Sequence, residues 1–106
     1  MRPGGQYQKG ANRERQFIVK MKTAGALWAA RTAGSHGPCD VMCVFPDKVC
    51  LYQIKAGKAK MTEEELAEIC DLAESMPHVE VYSVEWPDRQ EPMVVRVNTA
   101  SDLSPR

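Results

Sequence analysis

The sequence predicts one α/β domain, a mixed sheet of five strands flanked by helices. Three observations predict it. Two stretches, 11–25 and 62–75, carry apolar residues at helical spacing. Five short runs, 26–31, 39–45, 48–56, 79–86 and 93–97, are apolar or alternating and read as strands. Their order, α-β-β-β-α-β-β, gives one sheet with no internal boundary or repeat, and 106 residues suit one domain with a small core.

The elements follow in chain order. "MRPGGQYQKG" reads as a flexible basic arm, with the division placed at 1–8 for the arm, 9–97 for the domain and 98–106 for a flexible tail. In the first helix Phe17, Ile18, Met21 and Ala24 share a face, with Asn12 as N-cap and Gly25 as C-cap. "ALWAAR" is a short strand, and "TAGSHGP" at 32–38 is a small-residue loop expected to move. "CDVMCVF" and residues 48–56 are strands joined by a turn at Pro46–Asp47. Thr62 and Glu65 have capping-box spacing. Leu66, Ile69, Cys70 and Ala73 then form the buried stripe of the second helix, widened by Leu72, and Pro77 marks its end. "VEVYSVEW" and "MVVRV" are the last strands, and "NTASDLSPR" reads as disordered.

Composition excludes several classes. There is no apolar run of transmembrane length and no signal-peptide pattern, so a soluble, cytoplasmic protein is expected (host cytoplasm if the chain is viral) and no membrane partner. Cys39, Cys43, Cys50 and Cys70 lack C-x-x-C spacing, and His36 and His78 complete no zinc pattern. The cysteines read as reduced thiols acting as small hydrophobes. Net charge is zero, but it is sorted along the chain. Residues 1–31 carry seven bases against Glu14 alone, while residues 63–106 carry eleven acids and three bases. A basic front half points to a polyanion partner, with the acidic half facing away.

One constellation carries chemistry. In "CLYQIKAGK", residues 50–58, Gln53 and Lys55 lie two apart on a strand and so share a face. A two-residue loop at Pro46–Asp47 pairs Phe45 with Lys48, and continuing that register sets Asp40 opposite Gln53. Glu14 lies on the Phe17–Ile18 face of the first helix, where a carboxylate needs a partner; Asp40, Gln53 and Lys55 are the candidates. Two carboxylates and an amide oxygen are hard ligands that suit Mg²⁺ or Mn²⁺. Lys55 is placed to steady a developing anion. Spacing alone leaves open a structural ion pair of Lys55 with Asp40 or Glu14.

These residues occur in three ordered segments: "KGANRERQF" at 9–17, "RTAGSHGPCDVMCVF" at 31–45 and "VCLYQIKAGK" at 49–58. Together they resemble the archaeal-type Holliday-junction resolvases, of the restriction-endonuclease-like PD-(D/E)xK nuclease superfamily. The similarity spans about residues 9–97. It implies a central mixed five-stranded sheet flanked by helices, and a symmetric homodimer that nicks two opposed strands of four-way junction DNA with Mg²⁺, Mn²⁺ being a substitute. No small-molecule cofactor is implied. Glu14 then matches the helix-1 glutamate, Asp40 the metal-binding aspartate (with Cys39 replacing the preceding residue) and Lys55 the motif lysine. Ser35 matches a loop serine associated with catalysis. Arg15 and Arg31 match residues that touch DNA, and Ser35 and Lys58 join them. The implied metal set is Glu14, Asp40, Gln53 and the backbone carbonyl of Ile54. Gln53 is the departure, because the family usually has Glu there. Gln keeps a carbonyl oxygen but loses a charge, so weaker metal binding follows.

Lys9, Arg13 and Arg2 extend the basic stripe toward phosphates, which position DNA without reading its sequence. Trp28 is expected in the core and Trp86 at a dimer interface, with Met61 and Met76 adding apolar surface. Two other readings remain beside the resolvase: a related nuclease acting on other branched DNA or duplex, and a junction-binding protein catalytically dead because of Gln53.

Overall fold

The computed structural model describes residues 5–32 and 38–97, with side chains from Ala11 onward in the first helix. Two helices and five strands appear: α1 (Gly5–Thr23), β1 (Trp28–Arg31), β2 (Val41–Phe45), β3 (Lys48–Ala56), α2 (Glu63–Ser75), β4 (Val79–Trp86) and β5 (Met93–Arg96). The predicted order and the single mixed sheet are both present.

The α1 helix begins six residues earlier than its apolar spacing predicts. Extending a formed helix adds a hydrogen bond for each residue fixed, so the weakly helical "GQYQKG" continues it. Asn12 is therefore inside the helix rather than its cap, and its Oδ1 accepts from Arg15 Nη1 at 3.2 Å. The other end is as expected. Gly25 takes a φ of +113°. Its N–H donates to the Lys22 carbonyl (3.2 Å), and the Ala26 N–H donates to that of Met21 (2.9 Å). This is a Schellman ending, and Lys20 and Lys22 place positive charge at the dipole's negative end.

The sheet runs β1-β2-β3-β4-β5. All pairs are antiparallel except β3 with β4, which α2 connects as a parallel crossover. The hairpin register predicted from the turn is found, from Phe45↔Lys48 to Val41↔Tyr52. The helices cover opposite faces. Phe17 of α1 meets Tyr52 (4.7 Å between centroids) and Trp86 (6.4 Å), over Cys43, Cys50, Ile54 and Val84. Ile69 and Ala73 of α2 pack with Val81, Leu51 and Val97. No described helix is long and apolar enough to cross a membrane.

Strand parity reverses both tryptophan expectations. Trp86 shares the α1 face with Val84 and is 4% exposed, its indole N–H donating to the Gln90 carbonyl at 2.8 Å, so its own core takes nearly all the surface expected for a dimer. Trp28 precedes the buried Ala29 and so points away from α1, where it is 49% exposed. Leu66 likewise sits at the rim of the α2 stripe and is 48% exposed, while Ile69 and Ala73 are buried.

Candidate active site

The β2 strand starts at Val41, not at Cys39, and this shapes the site. Asp40 lies in a bend just before the strand. Its N–H donates to the Tyr52 carbonyl at 2.7 Å, so regular pairing stops at Val41↔Tyr52 and the expected Asp40↔Gln53 pair does not form. The Ile54 N–H is left without a strand residue to meet, and Asp40 Oδ2 accepts it at 2.9 Å. The carboxylate thereby replaces one rung of the ladder.

Asp40 stands at the end of the sheet, in reach of both helices' charges. Burial raises its pKa, the Ile54 hydrogen bond lowers it, Glu14 from the α1 side raises it, Lys55 lowers it and Glu65 of α2 raises it. Glu14 is largely buried, as its helical position requires, but its partner is Arg31, whose Nε donates to Glu14 Oε1 at 2.7 Å. None of the three candidates named from the sequence fills that role. Arg31 follows Ala29 by two on β1, faces α1, and meets Glu14 there.

Gln53 and Lys55 share a face, opposite to Tyr52 and Ile54 and turned toward α2. Lys55 Nζ donates to Glu65 Oε2 at 2.7 Å. Its ion pair is thus with neither Asp40 nor Glu14. Gln53 is 8% exposed, and its Oε1 is buried with no hydrogen-bond partner. An orphaned acceptor is unfavourable unless something cationic or protic reaches it. Among the described residues no group of three or more His, Cys, Asp or Glu side chains is gathered to hold a metal by itself.

The remaining predicted residues are dispersed. Arg13 pairs with Asp88 (3.1 Å), also donates to Gln16 (3.2 Å), and lies 5.0 Å over the Trp86 ring. Arg15 and Lys58 are exposed. Ser35 lies outside the described residues, as do Arg2, His36 and the side chain of Lys9. The four cysteines are free, and burial pushes Cys39 up to about 12 and Cys43 up to about 11, so neither is a nucleophile near neutral pH. Glu65 is the member that sequence reasoning missed. Its capping-box role was legible, but not the reach of its second oxygen to the adjoining strand.

Comparison with known protein families and with curated proteins finds no match. Among solved structures, the chain is similar to Archaeoglobus fulgidus Hjc, described as a Holliday junction resolvase from an archaeal hyperthermophile. The TM-score is 0.67 at 22% sequence identity, over 81% of this chain and 74% of that one. The chain therefore has the fold of this archaeal resolvase, the restriction-endonuclease-like α/β architecture that the sequence motifs imply.

Proposed function

We propose that the protein is a structure-selective endonuclease that resolves four-way DNA junctions by metal-dependent phosphodiester hydrolysis, acting as a homodimer. The observation that carries this reading is Asp40, held on the Ile54 amide at the end of the sheet in a fold shared with a resolvase. The charges of Glu14 and Lys55 converge on it.

The residues fit a divalent cation. Asp40 keeps a second carboxylate oxygen, and Gln53 Oε1 is a buried acceptor without a partner. Asp40, Gln53, Glu14 and the Ile54 carbonyl would hold the ion, all hard oxygens of the kind Mg²⁺ takes. When bound, such an ion supplies Lewis-acid activation of water and of the phosphate. The protein's own groups do the rest. Asp40 fixes the site through the Ile54 amide. Lys55 presents an ammonium to the charge that grows on the phosphate. Arg31 holds Glu14 in place across α1 and β1. Arg15 and Lys58, both exposed, are accessible to the DNA backbone, with Lys9, Arg13, Arg31 and Ser35 completing the proposed contact set.

A second copy is supported by apolar surface along the outer strand: Met93, Val94 and Val95 of β5 are exposed, and Leu66 of α2 adds to it. A two-fold dimer suits a two-fold junction.

The test is cleavage of a labelled four-way junction beside a matched linear duplex, with Mg²⁺, Mn²⁺ or EDTA. Paired symmetric nicks in the junction only, lost with EDTA and in Asp40→Asn, are expected. Comparable cutting of linear duplex would favour a nuclease of other specificity. The neutral amide of Gln53 favours one other reading, a junction-binding protein that does not cut. Tight, metal-independent binding with no products, and activity gained in Gln53→Glu, would establish it.

A further inference from the structure

Resting on that reading of the site, we infer that Glu65 supplies, from helix α2, the negative charge that Gln53 does not provide on the strand, and that it holds Lys55 in position. Both of its oxygens are committed. Oε1 accepts from the Thr62 N–H at 2.9 Å and closes the capping box, while Oε2 accepts from Lys55 Nζ at 2.7 Å. Thr62 Oγ1 in turn accepts from the Glu65 N–H at 3.1 Å. A cap needs only the first of these oxygens. The second reaches from α2 to β3, so the position of Lys55 is tied to the start of the helix.

Counting charges shows what Glu65 adds. Glu14 is neutralised by Arg31 at 2.7 Å. The charge of Asp40 is opposed by that of Lys55. With a neutral Gln53, these four groups sum to zero. Glu65 makes the cluster negative by one charge, and Asp40 feels it across the site. A divalent cation needs that excess, since affinity at oxygen sites follows ligand charge. With no group of three acids gathered as ligands among the described residues, Glu65 acts through charge and through Lys55 rather than as a ligand oxygen. It is a positioning residue.

Mn²⁺ titration of the full chain without DNA, by calorimetry, tests this independently of cleavage. Glu65→Gln keeps one oxygen for the cap and removes the charge together with the acceptor that Lys55 meets. Mn²⁺ affinity should fall about tenfold. Glu64→Gln, an exposed acid on the same turn, should change it less than about twofold. Adding Gln53→Glu to Glu65→Gln should recover the affinity by returning a charge to the strand. If Glu65→Gln binds Mn²⁺ like the parent while Asp40→Asn loses it, Glu65 is a helix cap only and the inference falls, the site itself standing. Failure of the double variant to recover also overturns it. If the parent binds no Mn²⁺, or binds it equally well in Asp40→Asn, the site reading fails and the inference with it.

Discussion

Burial pushes the Asp40 carboxyl above its ordinary range, the Ile54 amide pulls it back, and the charge of Glu14 raises it again. A carboxyl raised in the folded state contributes stability while protonated, and that contribution is lost as pH rises through its folded value. Wherever it is ionised and no cation is bound, Asp40 therefore weakens the fold. Asp40→Asn keeps an oxygen for the Ile54 N–H and removes the charge. It should melt at a higher temperature than the metal-free parent, yet lose at least about a hundredfold in junction cleavage. Added Mn²⁺ should raise the melting temperature of the parent and not of the variant; equal shifts would show that Asp40 is not at the cation site. Gly25 presents the opposite case, a residue fixed by backbone alone. A Cβ there meets nothing within 4 Å, but the φ of +113° is one that L side chains rarely adopt. Gly25→Ala should lower stability by about 1 kcal/mol in a denaturant melt, through strain and without loss of contacts.

At the scale of elements, Glu80 on β4 ties three neighbouring strands. It accepts from the Tyr82 hydroxyl, pairs with Lys48 of β3 at 3.4 Å and reaches Arg96 of β5 at 4.0 Å. The Tyr82 hydrogen bond, opposed by burial and aided by Lys48, holds its carboxyl below the ordinary value of 4.5. A depressed carboxyl contributes stability above that ordinary value and loses it as pH falls through the folded one. Glu80→Gln should thus melt below the parent near neutral pH, with the gap closing in thermal melts as the pH falls below 4.5. A gap that persists in acid would mean the loss is steric. Much of this level was legible in the sequence. The Pro46–Asp47 turn set the hairpin register, and Thr62 with Glu65 set the start of α2. What was not legible depends on which sheet face each helix covers. That choice buries Trp86 and exposes Trp28, and it brings Glu14 to Arg31, 17 residues away. The approach of Glu65 to Lys55 was hidden by the local role that already accounted for Glu65.

At the scale of the whole molecule, the sheet ends in two unlike edges. At the β1 edge, Trp28 of the strand and Leu27 just before it are 49% and 69% exposed. At the other edge, all four residues of β5 are exposed, and Val95 lines a groove with Met61, Leu66 and Cys70 of the α2 side. An outer strand offers unpaired backbone groups on one side, and an apolar one invites a partner. The charge is sorted as well, with the basic excess in residues 1–31 and the acidic excess in 63–106. Under the proposed function, this sorting turns the α1 and β1 end to the phosphates and leaves the β5 edge for the proposed second copy. Val95→Arg places a charge in that groove without touching Asp40 or Lys55. By sedimentation it should shift the proposed dimer toward monomer, and in the junction assay the paired nicks proposed above should give way to unpaired ones. Trp28→Arg, at the opposite edge, should leave the oligomeric state unchanged. An undisturbed dimer in Val95→Arg, with dissociation in Trp28→Arg, would move the interface to the β1 edge and place the two sites of the dimer in a different relation to the junction.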